Sequence, residues 1–164
     1  IIILDKRSAS MLNFLTKSPE ETFSIGEKFA QLLKEGTVIC LQGDLGAGKT
    51  LFVQGLAVGL GIAEEVTSPT FALLNIYQGS KTLYHFDLYR LDFSEELYDI
   101  GFYEYLEKED GITVIEWPDK FKQELPEEYL LIKIKRTEGV DERSFEISCH
   151  GTKYNSLLEE FVVK

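Results

Sequence analysis

The chain has 164 residues, 44% of them hydrophobic and 27% charged, which is the composition of one ordinary globular domain. A net charge of −11 and scattered basic residues disfavour autonomous nucleic-acid binding, which normally requires a basic patch. The sequence lacks the run of about eighteen apolar residues that a membrane span requires. Cys40 and Cys149 are isolated in the sequence, so we expect them to be reduced thiols of a cytoplasmic protein.

The first ten residues differ from the rest of the chain in what the sequence predicts for them. The first residue is not Met, and Met11 could be the natural start. Residues 1–10 are therefore a candidate for a disordered or non-native segment. Residues 11–164 are expected to form a single domain, since no linker-like or low-complexity run divides them.

Further along the chain, turn residues and apolar spacing predict alternating helices and strands. Ser18, Pro19 and Glu21 indicate a helix N-terminus, with Ser18 as the cap, and Gly36 ends that helix. The other predicted elements are a strand at 37–42, a helix at 49–60, hairpin strands at 71–77 and 82–89, a helix at 94–106, strands at 112–117, 129–136 and 144–149, and a helix at 154–162. This order predicts an α/β fold in which helices flank a mixed sheet, with a parallel core and antiparallel hairpin strands.

Residues 43–50 read Gly-Asp-Leu-Gly-Ala-Gly-Lys-Thr, a complete G-x-x-x-x-G-K-[ST] phosphate-binding loop (P-loop) between a predicted strand and a predicted helix. Backbone amides of such a loop bind nucleotide phosphates, its lysine reaches the β and γ oxygens, and its threonine hydroxyl binds Mg²⁺. The predicted phosphate-binding residues are Asp44, Leu45, Gly46, Ala47, Gly48, Lys49, Thr50 and, from a later strand, Asp87.

Two acidic residues, Asp87 and Glu116, end predicted apolar strands and are candidates for the carboxylate that accompanies such a loop. With Lys49 they form the predicted catalytic set, and with Thr50 the predicted Mg²⁺ site. One division places Asp87 on Mg²⁺ and lets Glu116 polarise the attacking water; the reverse, or shared ligation, is also compatible with the sequence. Either acid could instead be a structural surface or salt-bridged residue.

The remaining candidates have two readings each. The segment 67–70, Thr-Ser-Pro-Thr, could sense a γ-phosphate or be an ordinary turn. Trp117 could lie near the nucleotide or be a core aromatic. We interpret His85 as structural, although it shares a strand face with Asp87, and Arg90 as a partner of Asp87 or of phosphate.

Taken together, four motifs resemble the TsaE (YjeE) family: the loop 43–50, Ser68-Pro69-Thr70-Phe71, the run 85–90 (His-Phe-Asp-Leu-Tyr-Arg) and the run 115–117 (Ile-Glu-Trp). The resemblance implies a three-layer P-loop NTPase-like fold and a Mg²⁺-dependent ATPase that is weak alone. It implies that Thr50 and Glu116 belong to the Mg²⁺ site, that Asp87 lies beside the metal, and that Ser68 to Phe71 form a switch-like segment.

The same resemblance implies ATP as the nucleotide and the proteins TsaD and TsaB as partners. Together these proteins would support threonylcarbamoyladenosine formation at tRNA position 37, and the partners would contact the tRNA. One departure is that Leu51 and Gln54 stand where many family members have a second Thr and an Arg.

Two other functions remain open. A small-molecule kinase is one, although such kinases generally use an arginine-rich lid and this chain has four arginines. The other is a nucleotide-dependent regulator or scaffold in which hydrolysis is incidental. The sequence does not fix the adenine pocket; the region from Ser18 to Phe23 and the C-terminal hairpin are candidates.

Overall fold

The structure is a computed structural model that describes residues 2–3 and 11–161. The expectation of a disordered or non-native segment over residues 1–10 falls largely outside these described residues. Among them, no helix combines the length and the apolar character needed to cross a membrane.

One mixed sheet of eight strands forms the centre of the described fold, in the order β1-β2-β8-β7-β3-β6-β5-β4. The strands are β1 (Ile2–Ile3), β2 (Met11–Thr16), β3 (Val38–Gln42), β4 (Leu74–Tyr77), β5 (Thr82–Asp87), β6 (Gly111–Glu116), β7 (Tyr129–Arg136) and β8 (Arg143–His150). Strands β7, β3, β6 and β5 run parallel to one another, whereas β4, β8, β2 and β1 are added by antiparallel pairing. The predicted parallel core with antiparallel hairpin strands is confirmed.

Helices cover both faces of this sheet and complete the predicted three layers. They are α1 (Pro19–Ala30), α2 (Lys49–Gly59), α3 (Glu96–Asp99), α4 (Phe102–Lys108) and α5 (Asn155–Phe161), with a 3₁₀ segment at Pro118–Glu124. Because successive side chains of a strand point to opposite faces, Ile39 and Leu41 pack against the α1 and α2 side, while Val38 and Cys40 join the α3 and α4 side.

Sequence periodicity located most elements but misplaced some boundaries. Helix α1 ends at Ala30 rather than Gly36, and the first hairpin strand begins at Leu74 rather than at 71. The helix predicted at 94–106 is divided into α3 and α4, because Gly101 adopts a left-handed conformation with φ of 73°. Strand β2 was missed, although Leu12, Phe14 and Thr16 alternate with less buried residues.

Helices α1 and α2 approach each other so closely that two glycines form the contact. A Cβ atom on Gly55 would overlap the carbonyl oxygen of Phe23, and one on Gly26 would overlap that of Phe52. The buried rings of Phe29 and Phe52 pack next to this contact, with centroids 6.3 Å apart. Since α2 begins at Lys49, this packing fixes the helix that follows the phosphate-binding loop.

We therefore predict that Gly55→Ala destabilises the protein even though alanine favours a helix by about 1 kcal/mol. Overlap with the α1 backbone should cost more than that gain and lower the free energy of unfolding by about 1–3 kcal/mol in urea denaturation. Val58→Ala is the control, because Val58 lies on the same helix and is 49% exposed; its effect should stay within about 0.5 kcal/mol. Equal stability of the Gly55→Ala variant and wild type would contradict the close helix contact.

Candidate functional site

The loop at residues 43–50 leaves the end of β3 and turns directly into α2. Two glycines make this turn possible, because Gly46 and Gly48 have φ values of 77° and 108°, which residues with a Cβ rarely adopt. Inside the loop, the Ala47 amide donates to the Asp44 carbonyl at 3.0 Å. Lys49 Nζ donates to the Gly43 carbonyl, so the loop folds around its own lysine. The first amides of α2 are thereby presented at the loop, as phosphate binding requires.

A cavity of about 380 Å³ opens beside this loop and collects most of the predicted residues. It is lined by Leu45, Gly46, Gly48, Lys49, Thr50, Leu51, Ser68, Thr70, Asp87, Tyr89, Glu116 and Trp117. Asp44 and Ala47 instead line a neighbouring cavity of about 470 Å³, which Trp117 also borders. The sequence-predicted loop, acids and switch hydroxyls therefore meet in one place, whereas Phe71 is 85% exposed.

Asp87 and Glu116 lie side by side because β5 and β6 are parallel and pair these two residues in register. Both are 2% exposed. The carboxylate of Asp87 accepts hydrogen bonds from the Thr70 hydroxyl at 2.8 Å and from the Tyr89 amide at 2.9 Å. Glu116 Oε2 lies 3.3 Å from Nε2 of His85. Buried carboxylates of this kind are costly unless donors or a cation serve them.

The segment at 67–70 is tied directly to this acid pair. Ser68 and Thr70 share a hydrogen bond of 2.8 Å between their hydroxyls, and Thr70 then donates to Asp87. Gln54, which stands at a position where the resemblance suggested an arginine, donates to the Val66 carbonyl at 3.0 Å and holds the start of the segment against α2. The segment has no regular structure up to Pro69, a turn begins at Thr70, and the hydroxyls of Ser68 and Thr70 reach the candidate site.

Trp117 lies over the loop lysine, since Lys49 Nζ is 4.2 Å from the centroid of its ring. The Tyr89 ring packs against the Trp117 ring, with centroids 4.8 Å apart. Trp117 also has a φ of 59°, a conformation that costs a bulky residue about 1–3 kcal/mol and is concentrated at functional sites. This geometry favours the reading of Trp117 as a residue of the site over that of a core aromatic.

The electrostatic environment of Lys49 combines burial with negative charge. Burial lowers the pKa of Lys49 from its ordinary value, and nearby carboxylates oppose that shift. Among these carboxylates Glu116 raises the pKa of Lys49 most, followed by Asp87, Asp44 and Asp119. The pKa of Lys49 is lowered on balance because the effect of burial is larger than that of the carboxylates.

Two arginines of the C-terminal hairpin hold the loop, and sequence reasoning missed this role. Arg136 Nε donates to the Gly46 carbonyl at 3.1 Å, and Arg143 Nε donates to the Ala47 carbonyl at 2.9 Å. In the sequence Arg136 is one of the scattered basic residues, and nothing near it indicates a contact with the loop. The contact arises because β7 lies beside β3, and no local signal reports which strands become neighbours.

Both regions considered for the adenine pocket reach the loop. The hairpin does so through Arg136 and Arg143, and the methyl carbon of Thr22 lies 3.7 Å from the position that a Cβ on Gly48 would occupy. Arg90 has a different contact from those expected: its guanidinium lies 5.1 Å from the centroid of Phe71.

Comparisons with known proteins agree with these motifs. A family profile described as threonylcarbamoyl adenosine biosynthesis protein TsaE matches residues 16–145. The chain is 49% identical over 121 residues to the tRNA threonylcarbamoyladenosine biosynthesis protein TsaE of Treponema pallidum, covering 74% of this chain and 89% of that protein. It is 43% identical over 150 residues to the protein of the same name from Bacillus subtilis, covering 91% and 92%.

A solved structure is similar over nearly the whole chain. The crystal structure of YdiB from Bacillus subtilis superposes with a TM-score of 0.75 and 36% sequence identity, covering 98% of this chain and 95% of that one. This likeness supports the mixed-sheet α/β fold described above.

We predict that Arg143→Ala loosens the phosphate-binding loop. Loss of a hydrogen bond from a half-buried guanidinium should cost about 1 kcal/mol locally, so amides of residues 43–48 should exchange about fivefold faster in hydrogen–deuterium exchange. Arg90→Ala is the matched control, because Arg90 packs on Phe71 and not on the loop. Equal loop exchange in the two variants would show that Arg143 does not restrain the loop.

Proposed function

The chain belongs to the TsaE family, and we propose that it is a Mg²⁺-dependent P-loop ATPase that supports threonylcarbamoyladenosine formation at position 37 of tRNA. The observation that carries this proposal is the meeting of Lys49, Asp87 and Glu116 in one cavity at the phosphate-binding loop. The names of the relatives support the tRNA-modification part of the proposal, and the geometry of the cavity supports the ATPase part.

Phosphate binding falls to the loop and the start of α2. The left-handed glycines Gly46 and Gly48 leave the loop amides free to follow the phosphate oxygens. The Lys49 ammonium is held at the cavity between the Gly43 carbonyl and the Trp117 ring, close to where β and γ oxygens would lie. This positioning lowers the entropic cost of engaging the triphosphate.

The residues at the cavity also suit Mg²⁺. Thr50 offers a hydroxyl and the adjacent acids offer carboxylate oxygens, the hard ligands that this ion prefers. Among the described residues, no cluster of three or more His, Cys, Asp or Glu side chains could hold a metal alone. That fits Mg²⁺, which usually binds through one or two carboxylates together with substrate phosphates and water. When bound, the ion would neutralise charge that develops on the phosphates.

The hydrogen bonds of the two acids favour different roles for them. Both oxygens of Asp87 already accept hydrogen bonds, from Thr70 and Tyr89, which suits a fixed charge beside the metal. We therefore assign Glu116 the orientation and polarisation of the attacking water, with shared metal ligation as the alternative. The same Thr70 contact would connect a change at the phosphates to the switch-like segment that contains Ser68, Pro69 and Phe71.

The proposed partners are the proteins TsaD and TsaB, with tRNA reached only through the complex. The cavity supports a partner, because two of the large side chains that line it are well exposed: Leu45 is 73% exposed and Tyr89 46%. The net charge of −11 suits a protein whose partners contact the tRNA. We also propose a cytoplasmic location, because that is where tRNA modification would take place.

A nucleotide-dependent regulator is the second candidate function. The hydrogen bond between Thr70 and Asp87 favours it, since nucleotide binding by itself could reorder the segment through that contact. In that case the state of the segment would depend on ATP binding and hydrolysis would be dispensable.

The proposed function is tested by ATP hydrolysis with and without purified TsaD–TsaB. We expect slow hydrolysis by the protein alone and a stimulation of at least tenfold in the complex, because the partner covers the cavity and excludes water.

Lys49→Ala should abolish ATP binding in titration calorimetry, since no other loop cation can replace it, whereas Lys34→Ala, an exposed lysine away from the loop, should bind normally. Absence of stimulation would exclude the partner proposal, and unchanged affinity of Lys49→Ala would exclude the phosphate site.

Glu116→Gln separates hydrolysis from binding. The amide keeps the shape of the side chain but cannot accept a proton, so we expect ATP affinity within about threefold of wild type and hydrolysis in the complex reduced at least a hundredfold. Glu64→Gln, an exposed acid on the loop after α2, is the matched control and should leave both unchanged. Retention of hydrolysis by Glu116→Gln would remove Glu116 from the catalytic set. Loss of hydrolysis with full pathway function would favour the regulator.

A further inference from the structure

His85 is a buried polar residue that nothing in the fold explains. Its side chain is 0% exposed, and neither ring nitrogen has a hydrogen-bond partner within the described part of the chain. Nε2 nevertheless lies 3.3 Å from Oε2 of Glu116, whose side chain is 3% exposed. Buried polar atoms without partners are rare, and each one calls for a reason.

Packing alone does not supply that reason. On β5 the preceding inward residue, Leu83, is apolar and fully buried, as is Val114, which pairs with His85 on β6. The residue paired with it on β4, Asn75, is polar, but its amide nitrogen donates to the Tyr77 hydroxyl at 3.2 Å and neither His85 nitrogen bonds to it. An aliphatic side chain at position 85 would fill this surrounding without leaving nitrogen atoms unsatisfied. The imidazole of His85 therefore differs from the apolar side chains of Leu83 and Val114 next to it on β5 and β6.

The position of His85 places it behind the cavity rather than in it. Asp87 follows two residues later on the same face of β5 and pairs with Glu116 on β6. The cavity is lined by Asp87 and Glu116, and His85 is absent from its lining among the described residues. Because His85 does not reach the cavity, it can influence the chemistry there only through the Glu116 carboxylate.

The Glu116 carboxylate requires a contact that fixes its orientation, because Lys49 attracts it. Of the carboxylates around Lys49, it exerts the strongest electrostatic effect on the ammonium group. A carboxylate attracted to Lys49 alone would turn towards the lysine and away from a water at the γ-phosphate. A donor on the opposite side fixes one oxygen and leaves the other available to the cavity.

We propose that His85 is a positioning residue whose Nε2–H holds Oε2 of Glu116 and orients the other carboxylate oxygen for the attacking water. The proposal rests on the proposed function, in which Glu116 orients that water. In this structure the 3.3 Å approach lies outside hydrogen-bond geometry. The terminal torsion of a glutamate is broad, and catalytic hydrogen bonds commonly tighten when substrate binds, so a small rotation aligns the pair.

The first test uses three substitutions that differ in where they place a donor. In His85→Gln the amide nitrogen occupies the region of Nε2, in His85→Asn it reaches only the region of Nδ1, and His85→Leu has no donor. With TsaD–TsaB present, we expect His85→Leu and His85→Asn to lower kcat at least tenfold, with KM for ATP within about twofold and a melting temperature at or above that of wild type. His85→Gln should recover kcat to within about threefold.

A wild-type kcat for His85→Leu, or equal recovery by Asn and Gln, would overturn the proposal. So would losses that follow KM or the melting temperature, because they would indicate a structural role. In the Glu116→Gln background, His85→Leu should produce no additional loss; independent, multiplicative losses would also overturn the proposal.

A second measurement does not depend on ATPase activity and so separates this proposal from the proposed function. The chain has two histidines, and His150 provides the reference, because its Nδ1 lies 2.9 Å from the Glu127 carbonyl and must carry the proton there. Long-range ¹H–¹⁵N NMR should show the Nε2–H tautomer for His85 and the Nδ1–H tautomer for His150, with signals assigned through His150→Gln. Glu116→Gln should shift the His85 signals and leave those of His150 in place.

An Nδ1–H tautomer at His85, or no response to Glu116→Gln, would overturn the positioning role even in an active protein. Absence of hydrolysis in wild type together with the expected NMR result would instead count against the ATPase proposal alone.

Discussion

The parallel pairing of β3, β6 and β5 is the constraint on which the site depends. Parallel strands bring their carboxyl ends to one edge of the sheet, and here those ends carry the phosphate-binding loop, Glu116 and Asp87. Register is equally important, since a shift of one residue in either strand would turn its acid to the opposite face of the sheet. The remaining parts of the site, including the switch-like segment and the two arginines, attach to this edge.

The surrounding fold holds that edge rigid while leaving its outer surface open. The glycine contact between α1 and α2 fixes the helix that starts at Lys49, and Arg136 and Arg143 hold the loop from the opposite side. By contrast, Leu45 and Tyr89, which line the cavity, remain 73% and 46% exposed. A rigid inner shell and an apolar rim are what a site completed by another protein would require.

The charge around the loop lysine is the reason why a divalent cation would suit such a site. One buried lysine faces four carboxylates, from Asp44, Asp87, Glu116 and Asp119. A triphosphate would add further negative charge, and a divalent cation that offsets this charge would favour binding. The buried imidazole of His85 extends the same arrangement inward, where it can act on a carboxylate without contacting the nucleotide.

The sequence alone determined the elements whose signals are local. The loop at 43–50 needs glycines at left-handed positions, Ser18 and Pro19 begin a helix, and the acids at Asp87 and Glu116 end apolar strands, so each could be read from neighbouring residues. Only the tertiary structure decided which of these features meet. The contacts of Arg136 and Arg143 with the loop and the approach of His85 to Glu116 depend on strand order and register. Those are set by packing between residues far apart in the chain, and no local pattern encodes them.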